Sequence, residues 1–240
     1  MITSPENEKL KLARKLHARR WRDKLGLFVC AGEDLVLEAL AAGLRARALL
    51  VDAERPVEEL TRGVDLVEPR LLAAVAELAH PPRVVGVFER GDGAPTSSTP
   101  LALALWRVAD PGNVGTLVRS AAAFGASVRL STGCADPFGS KALRAAMGAT
   151  FRTPIGDFSV EPYAVALVPR DAPALWEVEL PDEVTFVLGS EREGLPEGVL
   201  ERCAARATIP HSARAESLNV AAAGTVALYE AARRSAASAE

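Results

Sequence analysis

Cysteine is scarce in this chain, with Cys30, Cys134 and Cys203 alone among 240 residues. They lie far apart and are odd in number, which argues against a disulfide framework or a paired-cysteine metal site and for reduced thiols. The three histidines, His17, His80 and His211, are as scattered, so no metal is expected. No run of about eighteen apolar residues is available to span a bilayer, and no membrane is expected as a partner. The opening MITSPENE lacks the basic region and apolar block of a secretory leader, so the expected compartment is the cytoplasm. A GxGxxG fingerprint is missing too. The fragment Gly189–Gly194, GSEREG, opens no long helix, which argues against a Rossmann-type dinucleotide site.

Apolar residues make up 49% of the chain, enough for the core of one large domain or two small ones. The net charge of −3 hides an asymmetry. Lys9–Lys24 holds eight basic residues against one acid, a charge of +7, so the remainder carries −10. Residues Lys9–Arg22 are expected to form one helix, with Leu12 and Leu16 on a small apolar stripe. Lys11, Lys15, Arg19 and Arg22 fall on one face. Either this is a solvated basic helix without a partner, or its mutual repulsion is relieved by a polyanion, as in nucleic-acid binding.

Strands are expected at 27–31, 46–51, 64–67 and 83–88. Helices are expected at 33–42, stopped by Gly43, and at 70–80. That alternation makes residues 1–90 a small α/β unit. The small, polar GDGAPTSSTP at 91–100 reads as a linker. Residues 101–240 alternate again. Strands are expected at 101–106, 127–130, 163–168, 184–188 and 206–209. Helices are expected from the DPGN turn to Phe124, at 140–147, at 196–203, and from SLNV to about Arg233. A mainly parallel sheet follows. Between Ile155 and Tyr163 lie only the seven residues GDFSVEP, where a parallel crossover normally needs about a dozen or more. Either the connection is not a helical crossover or one strand is misplaced.

Three stretches carry candidate chemistry: DPGNVGTLVRSAAAFG, LGSEREGL and IPHSARAESLNVAAAGTVALY. Taken singly, each has a plain structural explanation. Asn113 could cap a helix, Arg119 could be a surface charge, the 189–194 turn could be solvated, and Ser217 is a natural N-cap. Capping by Ser217 leaves Asn219, just inside the helix, unexplained.

Together the three resemble the ordered motifs of the SpoU family of RNA ribose 2′-O-methyltransferases, in the SPOUT superfamily, over Leu101 to about Arg233. GLFVCAGEDLVLEAL resembles the L30e-like RNA substrate-binding domain that precedes many SpoU domains. The resemblance implies an α/β protein with an L30e-like N-terminal domain and a C-terminal domain carrying a deep trefoil knot. It implies S-adenosyl-L-methionine, gripped by Leu188, Gly189, Ser190, Gly194, Ile209, Pro210 and Leu218. Asn113, Arg119, Glu191, Ser217 and Asn219 match the catalytic motifs, and no metal is needed. RNA is the implied partner, ribosomal RNA ahead of transfer RNA. Lys11, Arg14, Lys15, Arg19, Arg20 and Arg22 are then candidate RNA contacts. A homodimer through the C-terminal domain is implied, with Ala221, Ala222, Ala223, Gly224 and Ala227 allowing close helix approach.

The chain departs from the family pattern at Ser190, often Asn, at His211, a common Met, and in the loop 212–216, which lacks the usual Gly. Arg214 and Glu216 there are expected to alter substrate access. The family proposal casts the arginine as base. A guanidinium stays protonated far above neutral pH, so positioning and electrostatic stabilisation is an equal reading for Arg119. The competing function is an RNA-binding assembly factor that kept the fold and lost catalysis.

Overall fold

The computed structural model describes residues 1–76, 80–90, 99–161, 163–212 and 217–238, and divides into two compact units. The expected linker lies almost wholly outside the described residues, as do Arg214 and Glu216.

The first unit comprises Met1–Asp92 together with Phe138–Phe151. Its sheet holds β1 (Leu27–Ala31), β2 (Ala46–Asp52), β3 (Asp65–Val67) and β4 (Val84–Glu89), in the order β1-β4-β2-β3. β4 is antiparallel to both neighbours, and β2 and β3 run parallel. Alternate side chains leave a strand on opposite faces, and both faces here are covered. Val29, Leu50, Val85 and Val87 meet α1 (Glu8–Lys15) and α4 (Pro69–Ala76) through Leu10, Ala13, Leu72 and Val75. Phe28, Cys30, Leu49 and Val51 meet α3 (Glu33–Ala41) through Val36 and Ala39, and the later helix α6 (Ser140–Ala146) through Leu143. Phe28 is ringed by Phe88, Phe138 and Phe151 at centroid distances of 5.8, 5.1 and 5.6 Å.

The single basic helix expected over 9–22 is two helices. α1 ends at Lys15, Ala18 is extended, and α2 spans Arg19–Leu25. The break lets Leu16 reach the core. It also lets the Arg22 guanidinium donate to the carbonyls of Leu16 and His17, both at 2.7 Å, which end helix α1 without amide partners. Arg22 is only 5% exposed and is therefore no RNA contact.

The second unit comprises Gly93–Pro137 and Arg152–Glu240. Its six strands are β5 (Leu101–Leu105), β6 (Ser127–Leu130), β7 (Ile155–Asp157), β8 (Ala164–Leu167), β9 (Val184–Leu188) and β10 (Ala205–Ala207). All are parallel, in the order β10-β8-β9-β5-β6-β7. The central strands LALAL and VTFVL are almost wholly buried, as expected of parallel strands covered on both faces. α5 (Pro111–Ala123) and α8 (Val220–Ser238) pack together, joined by a 2.7 Å hydrogen bond between the Ser120 and Thr225 hydroxyls. A Cβ at Gly224 would collide with Leu117 of α5, so this glycine sets how closely the two helices approach. α7 is a single turn, Glu197–Leu200, shorter than the expected 196–203 helix.

The short 156–162 connection resolves in favour of a non-helical crossover, with strands on both sides of it. It runs from β7 at one edge past three strands to β8. At about 4.8 Å per strand that is roughly 19 Å, near the reach of six extended residues. Along the way Phe158 packs edge-on against Trp106 at 5.2 Å and Val160 is buried against Ala104 and Val187. The Glu161 carbonyl accepts from Arg129 and from the Thr185 hydroxyl, which replaces the ladder bonds that a strap across a sheet cannot make.

Candidate active site

In a parallel α/β sheet the loops beyond the carboxyl ends of the strands form the natural crevice. Here a cleft of about 620 Å³ opens at the ends of β8 and β9, within the range for small-molecule sites. Leu188, Gly189, Ser190, Gly194, Ile209 and Leu218 line it, together with Glu191, Ser217 and Asn219. Pro210, expected among them, is not part of its wall. Leu167, Val168 and Pro169 at the end of β8 do line it, and sequence reasoning missed them. The signal available was their place at the carboxyl end of a strand next to β9.

The 189–195 turn is built by close backbone approach. Ser190 and Gly194 exchange amide hydrogen bonds at 3.1 and 3.0 Å, and Gly194 takes a left-handed φ of 66°. A Cβ on Gly189 would strike the Gly194 carbonyl and come within 2.6 Å of Leu195 N, so only glycine fits at 189. The Ser190 hydroxyl accepts from Glu193 N at 3.1 Å, holding the turn from inside. The His211 ring bonds the Ile209 carbonyl through Nδ1 at 2.8 Å. A carbonyl only accepts, so Nδ1 carries the proton.

A polar chain then ties three segments together. The Asn113 amide donates to Glu191 Oε1 at 2.9 Å, and the Asn219 amide donates to Asn113 Oδ1 at 3.1 Å. Asn219 Oδ1 accepts from the backbone N–H of Ala221 and Ala222 at 2.9 and 3.3 Å. Asn219, not Ser217, therefore caps α8, because the helix starts at Val220 and Ser217 lies too far upstream. The ends of this chain fix its direction: an ionised carboxylate only accepts and a helix N-terminus only donates, so each amide has one orientation that satisfies both neighbours. Asn113 is itself held at the head of α5, where Asp110 Oδ1 accepts its N–H at 2.9 Å and Pro111 opens the helix.

Arg119 lies two turns further along α5, exposed, outside the cleft wall, and without a hydrogen-bond or ion-pair partner among the described residues. The cleft of one chain thus gathers Glu191, Ser217 and Asn219 directly and Asn113 through its amide chain, but not Arg119. Among the described residues no cluster of His, Cys, Asp and Glu suits a metal ion.

The model of the SpoU rRNA Methylase family matches residues 100–229. The chain belongs to the SpoU rRNA methylase family. An MRM3-like substrate binding domain matches residues 7–86. The 23S rRNA (guanosine(2553)-2′-O)-methyltransferase RlmP of Bacillus subtilis is 31% identical over 95% of this chain and 97% of its own. An AdoMet-bound rRNA methyltransferase from Sinorhizobium meliloti superposes with a TM-score of 0.84 at 31% identity, covering 97% of each chain. The SpoU methyltransferase AviRb from Streptomyces viridochromogenes, in complex with AdoMet, gives 0.86 at 26% identity over 96% of this chain and 98% of that one. With this SPOUT fold comes the trefoil knot, which the sequence pattern alone would not suggest because knots are so rare in proteins. The turn at 189–195 meets Ile209, His211, Ser217, Leu218 and Asn219 in the same cleft.

Proposed function

We propose that this SpoU protein transfers a methyl group from S-adenosylmethionine to a ribose 2′-hydroxyl of ribosomal RNA. The observation that carries the reading is the cleft itself. Its volume suits a folded nucleoside cofactor, and Leu188, Ile209 and Leu218 offer apolar surface to a base. The glycine-only turn at 189 lets backbone come close, and the carboxylates of Glu191 and Glu193 on the wall complement a cationic cofactor. Bound there, S-adenosylmethionine supplies an electrophilic methyl, and the chain's remaining task is to place a ribose oxygen in line with it.

Asn113, held between Glu191 and Asn219, keeps the mouth of the cleft in one hydrogen-bonded register. Ser217 and Asn219 stand where a ribose can be held. Arg119 is the cation that orients the 2′-hydroxyl and stabilises the alkoxide character it gains as its proton leaves.

Because Arg119 lies outside its own cleft, this assignment goes with a homodimer in which α5 faces a second copy. The small face expected to mediate this is largely used within one chain, since Ala221, Gly224 and Ala227 are buried. Exposed on α8 are, among others, Ala222, Val226 and Tyr229, the last two 40% and 57% exposed, and exposed on α5 are Thr116, Arg119 and Ala123. Ribosomal RNA is favoured over transfer RNA by the domain matched at 7–86, and the three free thiols suit the cytoplasm.

The deciding experiment is ribose-methylation mapping of total RNA with and without the gene, together with calorimetric titration of the protein with S-adenosylmethionine. Loss of one 2′-O-methyl mark and a saturable titration are expected. Saturable RNA binding with no cofactor heat would favour the assembly-factor reading instead.

A further inference from the structure

The basic segment sorts its charges in a way that composition does not reveal. Lys9 pairs with Asp65 at 2.6 Å, Lys11 with Glu6 at 3.0 Å and Glu8 at 3.4 Å, and Arg19 with Asp23 at 3.6 Å. Arg14 donates to the Pro5 carbonyl at 3.0 Å, and Arg22 is buried. Lys15, Arg20 and Lys24 alone among the eight have neither a carboxylate nor a carbonyl partner among the described residues. These three converge on one ring. Lys15 Nζ and Lys24 Nζ each lie 5.3 Å from the centroid of the Trp21 indole, and the Arg20 guanidinium carbon lies 5.7 Å away.

Each cation is drawn to the ring's negative face. Three like charges around one half-exposed indole still repel one another, and no acid among the described residues pairs with them. A phosphodiester would relieve them, and an indole face is what an unstacked base requires. Proteins that hold single-stranded RNA combine these two elements, aromatic faces for bases and cations for the backbone.

We propose that Trp21, ringed by Lys15, Arg20 and Lys24, is a stacking platform for an unpaired nucleobase of the RNA substrate, with the three cations holding its flanking phosphates. This rests on the reading of the chain as an RNA enzyme. It narrows the six RNA contacts expected from the sequence to Lys15 and Arg20, and adds Trp21 and Lys24.

The test uses the full-length protein and two probes, a fluorescently labelled oligoadenylate of about eight nucleotides and inorganic polyphosphate, which carries charge without bases. Trp21→Leu is expected to weaken oligoadenylate about tenfold or more while polyphosphate affinity and the salt slope hold. Trp21→Phe, which keeps a π-face, is expected to recover most of the loss. The triple change Lys15→Ala, Arg20→Ala, Lys24→Ala is expected to weaken both probes. It should also flatten the slope of log affinity against log salt by about 0.7 for each phosphate no longer neutralised.

Oligoadenylate binding unchanged in Trp21→Leu overturns the platform. So does an equal loss of both probes with a lowered melting temperature, which makes the indole a support for α2. An unchanged salt slope in the triple variant overturns the phosphate role. The two readings separate in a methyl-transfer assay on ribosomal RNA. If the wild type methylates and Trp21→Leu alters neither RNA KM nor oligoadenylate affinity, the platform alone fails. If the wild type transfers no methyl while the probes respond as expected, the enzyme reading fails and the platform stands.

Discussion

The substitution Asn219→Asp separates the folding role of this residue from its role in the site. In the native chain its Oδ1 caps α8 through two backbone N–H groups, and its amide nitrogen donates to Asn113. Aspartate caps as well as asparagine and adds a charge that a helix N-terminus favours by about 0.3–1 kcal/mol. Helix α8, and with it the melting temperature, should therefore hold or rise slightly. The amide chain cannot survive. A carboxylate oxygen would replace the Asn219 amide nitrogen and face Asn113 Oδ1 at the present 3.1 Å. Turning the Asn113 amide around only moves the oxygen–oxygen clash to Glu191. Both bonds of the chain are exposed, so water meets the groups left over and folding is spared, while the site loses an ordering bond worth roughly 0.5–1.5 kcal/mol, and kcat/KM should fall about two- to tenfold. Thermal unfolding and single-turnover transfer from labelled S-adenosylmethionine measure the two effects on the same preparation. Asn219→Ser, a cap with no amide to offer, should behave like Asn219→Asp in turnover. Normal methylation in Asn219→Asp, or a fall in turnover matched by a fall in melting temperature, would refute the reasoning.

Arg119→Ala and Arg119→Lys should both lose on the order of a thousandfold in single-turnover rate. Lysine lacks the planar fork, and cofactor affinity and melting temperature should barely move because Arg119 touches neither core nor cleft; near-normal turnover in either removes it from the chemistry. Gly189→Ala should abolish calorimetric binding of S-adenosylmethionine, since the added Cβ overlaps the Gly194 backbone; full affinity would show that the turn does not form the cofactor grip. Glu230, hydrogen-bonded by Arg233 and then Arg234, titrates at about 2 against an ordinary 4.5, so its contribution is whole above pH 4.5 and disappears as pH falls toward 2. With its side chain 13% exposed, that shift amounts to at most roughly 3 kcal/mol. Glu230→Gln should therefore unfold more easily than wild type at pH 7 and match it near pH 2, as followed by denaturant titration. A protein that light scattering finds strictly monomeric at micromolar concentration while fully active would remove the dimer, and with it the placement of Arg119 opposite a partner's cleft.

Most strands and helices were legible because their apolar periods are regular, but the short edge strand β7 (Ile155–Asp157) was not. LALAL and VTFVL read as strands and are so. The break between α1 and α2 was not legible, since Leu16-His17-Ala18 contains neither glycine nor proline. It comes from the burial of Leu16 and Arg22, a tertiary demand with no local signal. Ser217 and Asn219 are equally good caps by propensity, and only the start of α8 at Val220 decides between them. The motif residues from 188 to 194 could be read as one turn from their glycines. That Asn113 meets Glu191 and Asn219, 78 and 106 residues away, depends on how the sheet is threaded. The shortness of the β7–β8 connection was visible, but its course across three strands was not, because nothing in GDFSVEP names the Arg129 and Thr185 that receive it.

The first unit draws its second aromatic layer from residues 138–151, long after the chain has gone on to build β5, α5 and β6. That has a practical consequence for anyone wishing to graft it. A cut anywhere near residue 95 would leave the N-terminal piece without Phe138, Leu143 and Phe151, and Phe28 would lose two of the three rings that now surround it, keeping only Phe88. Exchange of the substrate binding domain between relatives by a single recombination at this point would import an incomplete core. Such chimaeras should aggregate unless residues 138–151 travel with their N-terminal partner, so specificity in this architecture is more readily changed by surface substitution than by swapping the module.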